Sequence, residues 1–263
     1  MELTVDGAAV EGYAGETVLA VARRAGAEIP ALCSHPAVTP YGACRLCMVE
    51  VKRNGRSRMV ASCSYPAADG LTVLTHTERV QRARRGVVEL LMAQAPDSKE
   101  LRELGASMGV DESRFPTIGP AEGKCILCGL CVSVCRDVIH ASSVSFANRG
   151  VDRALTTPFL EPSEECIGCG ACAAVCPVGA IEVRASGDEI EIAPFGNRVR
   201  LARCAECGVP IGSAPLGLRV QKELGDLVSH AVRLCIDCKQ RQAGARAWKV
   251  ARLGVGAAKV PVS

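Results

Sequence analysis

Cys125-Ile-Leu-Cys128-Gly-Leu-Cys131-Val-Ser-Val-Cys135 has the spacing C-x2-C-x2-C-x3-C. After a 30-residue spacer (136–165), Cys166-Ile-Gly-Cys169-Gly-Ala-Cys172-Ala-Ala-Val-Cys176-Pro177 repeats it. This run is the bacterial [4Fe–4S] signature, in which the fourth Cys of each copy ligates the other cluster. The repeat therefore assigns Cys125, Cys128, Cys131 and Cys176 to one [4Fe–4S] cluster, and Cys135, Cys166, Cys169 and Cys172 to a second. The crossing ties the two halves of the repeat together and keeps the clusters close. Gly129, Gly168 and Gly170 let backbone N–H groups approach the cluster sulfurs. Two features depart from a small free ferredoxin. The first run ends in Cys135-Arg136 rather than Cys-Pro, and the long spacer suggests a surface shaped to dock partners.

Working outward, the chain has 16 Cys among 263 residues, and all of them fall into four groups of four. The remaining two groups are Cys33, Cys44, Cys47, Cys63 and Cys204, Cys207, Cys235, Cys238. Four thiolates is the ligand number of an iron–sulfur cluster or a closed zinc site. Aromatic residues make up 3% of the chain, thin material for a large apolar core. Disulfides would require an oxidising compartment. The N-terminus, Met1-Glu2-Leu3-Thr4-Val5-Asp6, has no basic and apolar leader pattern, and no stretch has the ~20 apolar residues of a membrane span. The expected setting is a reducing cytoplasm, where such Cys spacings read as metal sites. Lys and Arg total 31 against 28 Asp and Glu, so no strong field draws in nucleic acid or an anionic membrane.

The first group sits in a stretch with alternating apolar pattern. Residues 2–5 and 8–13 read as strands around the Asp6-Gly7 turn, and 16–25 as an amphipathic helix stopped by Gly26. Val49–Lys52 and Arg58–Ala61 read as strands around Asn54-Gly55, with a last strand at Leu71–Thr75. Strand–strand–helix–strands is a β-grasp order. The ligand spacing, C-x10-C-x2-C-x15-C, has a longer first loop than the plant-type [2Fe–2S] pattern. His35 does not complete a Rieske pair, because no second His stands near Cys44 or Cys47. Residues 78–95 and 97–108 read as two helices separated by Pro96. The arginines at 79, 82, 84 and 85 read as a solvated face, with docking of an acidic partner as the alternative.

Ile29-Pro-Ala-Leu-Cys33, Gly42-Ala-Cys-Arg-Leu-Cys47 and Ala61-Ser-Cys63 resemble the N-terminal module of the respiratory complex I large iron–sulfur subunit. The same module opens the diaphorase iron–sulfur subunit of NAD-linked hydrogenases and many iron-only hydrogenases. The resemblance implies one [2Fe–2S] cluster on Cys33, Cys44, Cys47 and Cys63. It covers residues 1–200 well and 201–263 poorly. Many relatives carry a further [4Fe–4S] site of one His and three Cys just past this module. This chain has no Cys and no His between 77 and 124, so that site is missing.

The fourth group is C-x2-C-x27-C-x2-C, two facing knuckles of zinc-ribbon type. The reading favours one zinc on Cys204, Cys207, Cys235 and Cys238, with a further iron–sulfur cluster as the alternative. The basic tail (Lys239, Arg241, Arg246, Lys249, Arg252, Lys259) is either a partner anchor or a frayed terminus. His76, His140 and His230 have no ligand spacing around them.

The expected fold class is thus α+β in four segments. A β-grasp [2Fe–2S] domain (1–77) and a helical linker (78–120) precede a two-cluster [4Fe–4S] domain (121–200) and a C-terminal metal knuckle with a basic tail (201–263). No G-x-G-x-x-G after a strand and no P-loop lysine is present, and the cysteines are used as ligands, leaving no free nucleophile. By the resemblance, the chain is a non-catalytic electron-transfer subunit within a hetero-oligomer. Its partners would be a flavin/NAD(P)H-binding diaphorase-type subunit and a catalytic subunit (hydrogenase, formate dehydrogenase or similar), including electron-bifurcating complexes. The competing readings are a redox-sensing or assembly iron–sulfur protein, and an enzyme that reduces a small molecule at an open cluster.

Overall fold

A computed structural model of the chain describes residues 1–120, 123–225, 228 and 232–252. His230 and Lys259 lie outside these residues, as do the side chains of Lys249 and Arg252. The chain divides into two compact units, one of Met1–Glu165, Gly170–Val183 and Ala193–Phe195, the other of Cys166–Cys169, Arg184–Ile192 and the residues from Gly196 onward. No helix among the described residues is long and apolar enough to cross a membrane.

The first unit begins with a five-stranded sheet. Strands β1 (Glu2–Val5) and β2 (Ala8–Glu11) form a hairpin over Asp6 (φ 47) and Gly7 (φ 90), the two positive φ values of a type I′ turn. Asn54 (φ 49) and Gly55 (φ 74) make the same turn between β3 (Met48–Arg53) and β4 (Arg56–Ala61). With β5 (Thr72–Leu74) the order is β2-β1-β5-β3-β4, β1 and β5 running parallel. Leu3, Val5, Val49, Val51 and Val73 alternate along their strands onto the buried face. Helix α1 (Val18–Arg24), capped by Thr17, whose Oγ1 accepts from Ala20 N at 3.3 Å, adds Val18, Leu19, Val21 and Ala22 to the core.

The segment read as a linker is part of the same core. Helices α2 (Glu78–Gln94) and α3 (Lys99–Ser107) start at the caps Thr77 and Ser98, and Pro96 separates them. Val88, Met92 and Leu101 join the sheet residues in one apolar cluster that continues to Ile126, Leu130, Val134 and Val178. Arg84 is the exception to the expected solvated face. It is 6% exposed, and its Nε and Nη2 donate to the carbonyl of Met48 at 3.1 and 2.9 Å. Beyond α3, the short helix α4 (Leu130–Ser133) widens into a π turn over Val134–Val138, closed by Ile139 N to Val134 O at 2.9 Å. Arg136 permits this continuation. In the second copy of the repeat Pro177 has no N–H to give, and helix α5 (Ala171–Ala174) stops. The spacer forms a two-stranded ribbon, β6 (Ser145–Ala147) with β7 (Ala154–Thr156).

The second unit is built on strands β8 (Glu182–Ser186), β9 (Glu189–Ala193), β10 (Asn197–Arg203) and β11 (Pro210–Ser213), in the order β11-β10-β9-β8. β10 pairs antiparallel on both sides, so the boundary expected at 200/201 falls inside a paired strand. Helix α6 (Ala214–Leu224) is capped by Ser213, and α7 (Ile236–Arg252) follows.

Two helical glycines have opposite roles. A Cβ on Gly105 would lie 2.6 Å from Val110 O and 2.9 Å from Met92 Sδ, whereas one on Gly86 would meet nothing within 4 Å. Gly-to-Ala within a helix normally stabilises by about 0.5–1 kcal/mol. We expect Gly86→Ala to raise the apparent melting temperature of the purified protein and Gly105→Ala to lower it. Equal shifts for the two would contradict the packing of α3 against Met92.

Candidate metal centres

The first Cys group is gathered by loops at the edge of the first sheet. Cys33 follows the stretch Ile29–Leu32, Cys44 and Cys47 precede β3, and Cys63 follows β4. All four are at most 3% exposed. Gly42 (φ +72) and Arg45 (φ +58) turn the loop, and Cys44 N donates to Cys33 Sγ at 3.4 Å. Ser62 holds the far side, its N–H and Oγ both reaching Cys47 O at 3.0 and 2.7 Å. The sulfurs answer one another's charge. Cys63 donating to Cys47 pulls the latter down to about 6, while Cys44 and Cys63 are driven up by giving their protons to neighbours and by burial. Four buried sulfurs this close do not all ionise unaided; a cationic iron core that neutralises them fits the donor set.

In the second group Cys125, Cys128, Cys131 and Cys176 line one small apolar cavity with Phe146, Leu155 and Ile181. Leu127 N donates to Cys125 Sγ at 3.4 Å and Ala180 N to Cys176 Sγ at 3.2 Å. Burial pushes Cys128 up to about 11 and raises Cys131 further. Leu127 has φ +52, matching Gly168 (φ +62) in the second copy, and Gly129 (φ +81) matches Gly170 (φ +73). The backbone repeats where the residue type does not. Sequence spacing gave no sign that Leu127 occupies a left-handed position.

Of the third set, Cys135 and Cys172 lie in the first unit, and Cys166 and Cys169 in the second. Cys135 Sγ accepts from Ser143 N at 3.3 Å, on the exit of the π turn. Around Cys166 and Cys169, the Oγ of Ser213 donates to Ile167 O. Gly168 packs so tightly on Val199 that a Cβ there would overlap its Cγ2.

The fourth group is closed and compact. Cys204, at the end of β10, and Cys207 meet Cys235 and Cys238 at the start of α7, with all four sulfurs within 4.8 Å of one another. Cys207 and Cys235 Sγ are 3.6 Å apart. Gly208 N returns to Cys204 O at 2.9 Å and Cys238 N donates to Cys235 Sγ at 3.4 Å. Arg241, which reads in the sequence as part of a basic tail, donates from Nη2 to Cys238 Sγ at 2.8 Å. Burial, the largest influence, pushes Cys238 up to about 12, against the pull of Arg241.

Further polar residues at these sites were not legible in the motifs. Tyr41, one residue before Gly42, lies 3.3 Å (Cδ1) from the position of a Cβ on Gly129, and its hydroxyl accepts from Arg153 Nη2 at 3.1 Å. Arg153 in turn stacks on Phe146, 3.9 Å from the ring centroid. His35 stays in its loop, its Nδ1 accepting from Ala37 N at 3.2 Å.

Residues 1–78 match the family model of the 2Fe-2S iron-sulfur cluster binding domain, and 163–182 match a 4Fe-4S binding domain. One chain of the crystal structure of NAD+-reducing [NiFe]-hydrogenase in the H2-reduced state is 30% identical, with a TM-score of 0.59. The match covers 74% of this chain and 88% of that one. An NADH-quinone oxidoreductase subunit of Rhizobium meliloti is 33% identical over 180 residues, 59% of this chain and 21% of that protein. The mitochondrial NADH-ubiquinone oxidoreductase 78 kDa subunit of Candida albicans is 32% identical over 205 residues, 69% of this chain and 28% of that protein. The chain belongs to this family of iron–sulfur electron-transfer subunits. It spans under a third of the length of those two curated relatives.

The close approach at Gly168 generates a test. A Cβ there meets Val199, and the left-handed φ costs a non-Gly residue about 1–2 kcal/mol besides. Gly168→Ala is expected to remove one cluster, read as a loss of about four irons per chain. Val199→Ala in the same chain relieves the contact but not the φ and should restore iron only in part. Full iron content in Gly168→Ala would refute this role for the glycine.

Proposed function

We propose that the chain is a relay that holds one [2Fe–2S] cluster on Cys33, Cys44, Cys47 and Cys63 and two [4Fe–4S] clusters on the crossed sets of the Cys repeat. The observation that carries the reading is that Cys33 and Cys128 share one buried core and lie close enough for charge on one to raise the other's pKa. Iron–sulfur clusters whose irons are fully ligated by four thiolates are one-electron carriers and leave no open coordination position for a substrate. The residues of the chain then have three tasks. The cysteines bind, the β-grasp and α2 bury the first set from water, and the N–H groups of Leu127, Cys44 and Ala180 aim at sulfur. Burial and sulfur hydrogen bonding are the levers by which a protein sets such potentials.

For the fourth group we favour zinc. Tetrahedral zinc with sulfur at about 2.3 Å separates its ligands by about 3.8 Å. All four sulfurs lie within 4.8 Å of one another, Cys207 and Cys235 at 3.6 Å, which supports that single-ion site over a cluster, where thiolates on different irons stand further apart. Zinc is redox-silent, so this site would staple α7 to the sheet rather than carry electrons.

The relatives described above are subunits of NADH-quinone and NADH-ubiquinone oxidoreductases and a chain of an NAD+-reducing hydrogenase. By that kinship we assign this chain to a cytoplasmic hetero-oligomer. It would pass electrons between a flavin/NAD(P)H-binding subunit and a catalytic oxidoreductase subunit, itself catalysing nothing.

Anaerobically purified protein should contain about ten irons, matching acid-labile sulfide and about one zinc per chain. Low-temperature EPR during a redox titration should resolve one [2Fe–2S] and two [4Fe–4S] signals. About fourteen irons without zinc would move the fourth group to a cluster, and a colourless, iron-free protein would end the relay reading.

A further inference from the structure

Arg84 is a buried cation without a carboxylate in contact. Its side chain is 6% exposed, and two of its nitrogens are satisfied by one carbonyl, that of Met48. Among the described residues, no Asp or Glu lies within ion-pairing distance of it. Desolvating a guanidinium in this way is costly unless opposite charge is supplied nearby. Two anionic groups enter its field, the Cys47 thiolate and Asp6. Asp6 is already engaged, accepting from Thr75 N at 2.7 Å and standing 3.8 Å from His76 Nδ1. Cys47 is different. Met48, whose carbonyl Arg84 grips, is the next residue after it, and all four cysteines of the first group are buried.

Resting on the [2Fe–2S] reading of that group, we infer that Arg84 is a positioning residue that sets the reduction potential of this centre. It fixes the Met48 end of the loop and places a permanent positive charge in reach of Cys47. Reduction adds one electron, and hence one negative charge, to a site held by four thiolates. A fixed cation in a low-dielectric surrounding stabilises the reduced form more than the oxidised one, so it raises the potential. A guanidinium suits the task because it stays charged when buried, where an ammonium would tend to give up its proton. The other edge of Arg84 borders a cleft of about 740 Å³ whose walls include Arg23 and Arg85. Both add positive charge, and Glu28 is the opposing charge there.

The test is an EPR-monitored potentiometric titration of the full-length, cluster-loaded chain carrying Arg84→Met, Arg84→Gln or Arg84→Lys. Met and Gln should each lower the reduced-to-oxidised ratio of the [2Fe–2S] signal about tenfold at fixed potential, a downward shift of about 59 mV for a one-electron couple. Lys, whose buried ammonium tends to lose its proton, should lie near the parental value at low pH and approach Gln as the pH rises, and the [4Fe–4S] midpoints should move less. Gln retains a hydrogen-bond donor and much of the volume, so it carries the test if Met prevents folding. An unmoved [2Fe–2S] midpoint in Gln or an equal shift in every centre would overturn the role of Arg84. A parental protein with no [2Fe–2S] signal would instead overturn the reading of the Cys group.

Discussion

Sulfur ligands for an inorganic centre must be held at fixed separations, and loops alone do not hold such spacing. In the first unit the work is done by an aliphatic core made almost without aromatic residues. Leu3, Val18, Val21, Leu46, Val49, Val51 and Val73 are at most 2% exposed. The buried cysteines of the first group belong to that same cluster of side chains, as do Ile126, Cys128 and Leu130. Each buried side chain of this size contributes about 1.5–3 kcal/mol relative to exposure. The loops that carry these cysteines are thus tethered at both ends to the buried core of the unit. That Leu46 lies between Cys44 and Cys47 and is fully buried makes the point locally. The residue separating two ligands is itself an anchor.

The second device is backbone handedness. Turning a short loop so that successive N–H groups point at one spot requires positive φ, which glycine adopts freely and other residues at a cost. In the second copy of the Cys repeat, Gly168 and Gly170 fill both such positions. In the first copy Leu127 fills one of them. The strain at Leu127 is held by its place beside the cavity lined by Cys125, Cys128 and Cys131. Its N–H reaches Cys125 Sγ. A conformation that costs energy in isolation persists where surrounding groups determine it, and such positions gather at functional sites.

Much of this was legible in the sequence because the signals are local. The Asp6-Gly7 and Asn54-Gly55 turns marked two hairpins, and the helices expected at 78–95 and 97–108 around Pro96 lie within two residues of α2 and α3. The Cys spacings picked out three sets whose members the structure gathers, the first, the second and the fourth. What was not legible depends on contacts between segments far apart in sequence. Arg84 reads as one of four arginines on a charged helix face, and only the approach of β3, 36 residues earlier, makes it a buried donor to Met48. Arg241 reads as part of a basic tail until α7 brings it over Cys238. The seam between the two units passes through the second Cys run itself, between Cys169 and Gly170. No composition change marks it, because the cysteine spacing continues unbroken across it.

The Cys groups of the first unit are linked through the same core. Within that unit, charge on Cys33 is felt at Cys128, and charge on Cys172 at Cys131. Tyr41 reinforces the first of these links. It stands in the loop that carries Cys44, rests on Gly129 in the loop that carries Cys128, and is tied by Arg153 to Phe146 on the wall of the second cavity. Gly129 is a position where any side chain would crowd the Tyr41 ring as well as strain the backbone. The separation between the loop of Cys44 and the loop of Cys128 is thus set by a packed contact rather than by a tether, because the Tyr41 ring fills the space that a side chain at 129 would need.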